Sequence, residues 1–154
     1  VRGGQLPLHH APCLLSEFLD QVLPEMEVDF ADRGIQVIRN CAYTGTVVMD
    51  ADRIAQVVYN IAANARDVMP HGGTFTVTSC RAGARIELAL ADTGPGVPQG
   101  LEERIFEPFY TSGKREGAGL GLAIARRIVE EHGGELRLER GSDRGAVFVV
   151  SLPV

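Results

Sequence analysis

No apolar run in these 154 residues approaches the roughly 18 that a membrane-spanning helix requires, and no charged-then-apolar leader precedes a cleavage site. A soluble, cytoplasmic chain with no membrane contact of its own is expected, whatever anchor a longer parent protein carries. Cysteine is scarce: Cys13, Cys41 and Cys80 are odd in number and far apart, which fits reduced thiols better than a disulfide framework or a zinc site. Positive charge is outnumbered, 15 Lys and Arg against 20 Asp and Glu for a net charge of -5, which argues against a general nucleic-acid binder. The chain also has no internal repeat and no low-complexity stretch.

What is present is globular in character, 45% apolar and 23% charged, in a length that fits one domain around one core. The first residue is Val1 rather than Met, and residues 1–13 are rich in Gly, Pro and His. A linker from an upstream region is expected there, followed by a single domain over residues 14–154. Apolar residues recur at helical spacing over residues 14–32, with Pro24 expected to kink or divide that helix. Short strands are read at residues 35–39 and 46–49. The clearest helix follows a cap at Asp50 or Asp52, with Ile54, Val57, Val58, Ile61, Ala65 and Val68 on one stripe. Strands over 74–80 and 85–91 join through Gly83, a short helical turn is expected over 101–105, a last helix over 120–132, and a final hairpin over 135–139 and 146–152. Strands and helices are interspersed without βαβ alternation. The fold expected is a two-layer α/β sandwich, its sheet mixed and largely antiparallel, with helices packed on one face.

On the clear helix Asn60, Asn64 and Asp67 stand at i, i+4 and i+7, a narrow polar stripe beside the apolar one. An Asn carboxamide oxygen is a hard ligand suited to Mg²⁺, although a solvated helix face explains the same stripe. Asp92 ends an alternating strand at the edge of a buried sheet, where a carboxylate can accept from an amine such as that of adenine; an Asx-type turn is the plainer reading. Gly94 and Gly96 permit close approach of backbone to a flat ligand. Gly117, Gly119, Leu120, Gly121 and Leu122 lead straight into a helix, whose free N–H groups and dipole suit phosphate oxygens. Lys114 precedes them, within reach of phosphates or merely solvated. Neither G-x-G-x-x-G nor G-x-x-x-x-G-K-[ST] occurs, which disfavours a dinucleotide fold and a P-loop enzyme.

Four motifs occur in one order: Asn60-x-x-x-Asn64-Ala65-Arg66-Asp67, Asp92-x-Gly94-x-Gly96, Phe106-Glu107-Pro108-Phe109, and Gly117-x-Gly119-Leu120-Gly121-Leu122. Over roughly residues 14–153 the chain thereby resembles the ATP-binding domain of sensor histidine kinases, in the GHKL superfamily (Bergerat fold) with type II topoisomerases and a heat-shock chaperone. The resemblance implies that Asn64 ligates Mg²⁺, that Asp92 reads the adenine amine, and that Gly117, Gly119 and Gly121 line the phosphates of ATP under a lid over 110–116. Asn60 stands where true ATPases of the superfamily carry a water-activating Glu, and an amide cannot act as that base. Many members carry a basic residue where Asp67 stands.

The resemblance further implies phosphoryl transfer to a histidine on a separate dimerisation domain and then to a response-regulator receiver domain. None of His9, His10, His71 and His132 has the sequence context of such a phosphoacceptor. His132 reads as a helix-end residue whose positive charge suits the dipole. The competing expectations are a nucleotide-sensing module without transfer, a serine kinase of the same fold, and an ATP-driven clamp, the last weakened by Asn60.

Overall fold

The computed structural model describes residues 7–108, 121–140 and 145–154. Strand β1 (Ala11–Leu14) leads directly into helix α1 (Leu15–Ala31), followed by strands β2 (Ile35–Cys41) and β3 (Thr46–Met49) and helix α2 (Ala51–Val68). Strands β4 (Gly73–Ala82) and β5 (Arg85–Ala91), a 3₁₀ turn (Arg104–Phe106), helix α3 (Gly121–Glu131) and strands β6 (Glu135–Arg140) and β7 (Ala146–Pro153) complete the order.

The main sheet has the order β2-β4-β5-β7-β6, with β2 parallel to β4 and the other pairs antiparallel. One face is apolar because the alternation of neighbouring strands is in register. Val77 pairs with Leu90, Leu90 with Phe148, and Leu88 with Val150, whereas Thr78 pairs with Ala89 on the opposite face. The three helices cover the apolar face, as expected for a two-layer α/β sandwich. Phe75, fully buried, meets Phe30 of α1 edge-on with ring centroids 5.3 Å apart, and so pins that helix to the sheet. Phe75→Ala is expected to cost about 3–5 kcal/mol in urea unfolding, and a loss under about 1 kcal/mol would remove this anchor from the account.

Two expectations need correction. Pro24 does not divide α1: it sits on the exposed side of one 17-residue helix, where water can take the hydrogen bond that its missing N–H would have made. Ala11, Pro12 and Cys13, assigned to the linker, instead belong to β1, which pairs antiparallel with β3 in a separate two-stranded sheet. A Pro is tolerated there because a two-stranded ribbon consists of edge strands.

Candidate functional site

Helix α2 carries the amide stripe. Asp50 caps it, Oδ1 accepting from the Arg53 N–H at 3.2 Å, while Ile54, Val57, Val58, Ile61, Ala62 and Ala65 are buried toward the core. Asn60, Asn64 and Asp67 lie half-buried at the margin of that stripe. Asn60 Nδ2 donates to the Gly121 carbonyl at 2.9 Å, joining α2 to the first described residue of α3. A Cβ on Gly121 would lie 3.7 Å from Asn60 Cβ, so the two backbones approach closely. Among the described residues Asn60 Oδ1 accepts no hydrogen bond, which leaves the hard-ligand end of the amide available.

Asp92 follows the C-terminal end of β5, the central strand of the sheet, and is only 6% exposed. Its Oδ1 accepts from the Gly94 N–H at 2.9 Å and the Ala146 N–H at 3.2 Å, and its own N–H donates to the Ala146 carbonyl at 2.9 Å. One carboxylate oxygen is thus fixed by backbone, while Oδ2 accepts nothing among the described residues. Burial pushes the Asp92 carboxyl above its ordinary range, and the two backbone donors only partly oppose this.

The loop after Asp92 is packed onto the end of α2. A Cβ on Gly94 would lie 2.9 Å from both Val68 Cγ2 and the Val68 carbonyl, and Thr93 Oγ1 reaches Met69 Sδ at 3.5 Å. Val68 is one turn beyond Asn64, so this contact brings the aspartate loop to the Asn64 end of the amide stripe. Gly96 has φ of 79°, in the region that favours glycine.

The other expected site residues have different surroundings. Asp67 Oδ1 lies 3.4 Å from Arg66 Nη2, and Arg66 Nη1 pairs with Asp29 of α1 at 2.7 Å, so Asp67 has an ion-pair partner on the α1 side. The Leu122 side chain is in the core at 6% exposure, leaving its backbone as the part that can face a ligand. Lys114, Gly117, Gly119 and Leu120, with the 110–116 lid, lie outside the described residues.

His132 does stand at the helix end, but its hydrogen bonds are not those of a positive charge. It is 7% exposed; Nε2 accepts from the Asp50 N–H at 3.0 Å and Nδ1 lies 2.8 Å from the Ile128 carbonyl, a pattern met by a neutral ring protonated on Nδ1. The helix end needs no side-chain cation. Gly133, at φ of 77°, donates to the Glu130 carbonyl at 2.9 Å and Gly134 to the Val129 carbonyl at 3.0 Å, a Schellman closure made by backbone alone. Sequence reasoning also missed Gly145, whose Cα packs against the Asp92 carbonyl, and the backbone role of Ala146. The signal available for Gly145 was a lone glycine just before a strand.

This geometry is what a domain of the ATP-binding α/β sandwich class presents: an amide-bearing helix, a glycine-led helix bonded to it, and a buried aspartate at the end of the central strand. Residues 49–154 match the histidine kinase-, DNA gyrase B-, and HSP90-like ATPase family, and the chain belongs to that family. Sporulation kinase C of Bacillus subtilis (strain 168) is 34% identical over 142 residues, 91% of this chain and 33% of that protein. The catalytic domain of histidine kinase ThkA shares the fold with a TM-score of 0.84 at 30% identity, covering 94% of this chain and 95% of that one. ThkA in complex with response regulator protein TrrA gives 0.81 at 29% identity over 95% of this chain and 42% of that one. Full-length ShkA in complex with AMPPNP gives 0.86 at 32% identity over 96% of this chain and 32% of that one. The chain spans between 33% and 40% of the length of sporulation kinase C and two SasA sensory kinases.

Proposed function

We propose that this chain is the catalytic, ATP-binding domain of a two-component sensor histidine kinase. It would present the γ-phosphoryl group of Mg²⁺-ATP to a histidine on a dimerisation domain elsewhere in the full-length protein. The carrying observation is the Asn60 amide held by its bond to Gly121, which by the resemblance stands where the superfamily's true ATPases carry a water-activating Glu. A site without that base keeps the phosphoryl group for an incoming nucleophile instead of water.

Asp92 is the adenine reader in this reading: Oδ1 is immobilised by two backbone donors, so Oδ2 is oriented to accept from an exocyclic amine. Asn64 would hold magnesium, with Asn60 Oδ1 beside it. Magnesium typically takes few protein ligands and completes its octahedron with phosphate oxygens and water, so a single amide ligand suffices. When bound, that ion would neutralise charge on the phosphates. Gly94 and Gly96 would border the base. Gly117, Gly119 and Gly121 would border the phosphates, together with Lys114 and the backbone at Leu120 and Leu122. Asp67, three residues beyond Asn64 on the same helix, is assigned to the rim of the same site.

AMPPNP in the ShkA structure and TrrA beside ThkA support ATP and a response-regulator receiver domain as the partners here. A cytoplasmic location follows for a domain of this chemistry, since ATP and receiver domains are found there; no helix among the described residues is long and apolar enough to cross a membrane. The test is calorimetric titration with AMPPNP, with and without Mg²⁺ and with a GTP analogue as control, followed by labelled ATP and a histidine-bearing helical domain. Mg²⁺-dependent, adenine-selective binding and an acid-labile phosphoprotein are expected. Acid-stable label would point to a serine kinase, and binding without any transfer to a nucleotide-sensing module.

A further inference from the structure

Helices α2 and α3 run antiparallel and are bridged twice. Asn60 Nδ2 donates to the Gly121 carbonyl at 2.9 Å, and the Asp50 N–H donates to His132 Nε2 at 3.0 Å. The rungs are matched in spacing: Asp50 to Asn60 rises about 15 Å and Gly121 to His132 about 16 Å at helical pitch. Between them Ile54, Val57 and Val58 of α2 and Ala125, Ile128 and Val129 of α3 are buried.

The second rung is a tertiary substitute for a local one. In a capping box the N–H of the N-cap residue is taken by a Glu or Gln at the third helical position; here that position is Arg53, whose side chain has no acceptor. His132 provides the acceptor from the far end of another helix. Both residues are 7% exposed, so water replaces this bond poorly. Asp50 Oδ2 also accepts from the His9 N–H at 3.0 Å, and the His10 ring lies 4.9 Å from the His132 ring. The start of α2, the end of α3 and the segment before β1 therefore meet at one point, Asp50 and His132 buried and His9 and His10 exposed over them.

We infer that Asp50 and His132 are positioning residues, a brace that sets the spacing at which Asn60 meets Gly121 and thereby the affinity of the nucleotide site. The inference rests on the reading of Asn60 and Asn64 given above. Without the brace, the Asn60 bond to Gly121 loses its partner rung at the other end of the helix pair, and apolar packing has no directional preference that would set the spacing in its place.

Three variants test this: His132→Leu, His132→Gln, and His132→Leu combined with Arg53→Glu. The readouts are the Asn60 side-chain amide signal in nucleotide-free protein by NMR, the thermal midpoint, and the affinity for Mg²⁺-AMPPNP. His132→Leu should shift and deprotect the Asn60 signal and weaken affinity on the order of ten- to a hundredfold. His132→Gln, whose amide can accept from Asp50 and donate to Ile128, should retain both. Arg53→Glu supplies a capping-box acceptor, so the double variant should regain the thermal midpoint without regaining the Asn60 signal or the affinity. It also supplies a folded comparison should the single variant fail to fold. Recovery of signal and affinity in the double variant would reduce the bond to mere capping and overturn the inference, as would an unshifted Asn60 signal in folded His132→Leu. A wild type that binds no nucleotide would sink the functional reading instead, and the nucleotide-free Asn60 signal would still decide the brace.

Discussion

Asp92→Asn is expected to weaken binding of an ATP analogue roughly ten- to a hundredfold while the fold stays intact, because the change converts one acceptor into a donor facing a donor. Asn Oδ1 can keep the Gly94 and Ala146 N–H bonds that close the loop, so the loss falls on the oxygen that accepts nothing among the described residues. Unchanged affinity, measured by calorimetry, would mean that adenine is not read here. The same residue predicts a pH dependence. Its folded-state carboxyl is raised by burial above the unfolded one, so in that interval the native state binds more protons. The stability contributed by Asp92 is fully present below the ordinary aspartate range and is lost as pH rises through the raised value. Urea midpoints of wild type and Asp92→Asn should therefore diverge in favour of the variant as pH rises across that window. Nucleotide affinity should move the other way, falling in wild type on acidification at pH values above the ordinary aspartate range, because a protonated carboxyl is a poorer acceptor. Parallel pH profiles for the two proteins would remove both assignments.

Gly145→Val is the second large effect. A Cβ at this position would collide with the Asp92 backbone carbonyl and crowd Thr93 Cα at 3.1 Å, and neither neighbour is a flexible side chain that can move aside. The backbone must shift, which is expected to cost about 1–3 kcal/mol and to loosen the bonds that orient Asp92. Nucleotide affinity should fall by at least about tenfold with it, given how steeply binding geometry depends on placement. Gly83→Ala provides the contrast: φ there is 65° and nothing lies within 4 Å of an added Cβ, so the cost is backbone strain of about 1 kcal/mol with no effect on nucleotide binding. Equal losses of affinity in the two variants would mean that Gly145 acts through global stability rather than through Asp92.

Periodicity is a local property, and it placed the elements well. Helix α2 and strands β3 and β5 fall where their 3.6- and 2-residue patterns put them, with boundaries of β2 and β4 extended by pairing that no single strand reveals. Pro24 misled because its rule concerns a lost hydrogen bond, and whether that loss matters depends on which side of the helix faces water. The Ala11 to Cys13 stretch misled because a four-residue strand carries no pattern of its own and exists only by pairing with β3. His132 misled for a third reason: its partner Asp50 is 82 residues away in the chain.

The sequence by itself determined which chemistry is available. Two amides at i and i+4, an aspartate at a strand end and a glycine-led helix are fixed by covalent order and by spacing within one element. The tertiary structure alone decided how those groups are used, since this depends on contacts between elements distant in the chain. Packing of Gly94 on Val68 brings the aspartate loop to the amide helix, the Gly94 and Ala146 N–H groups fix one oxygen of Asp92, and the buried His132 holds the end of α3 to the start of α2.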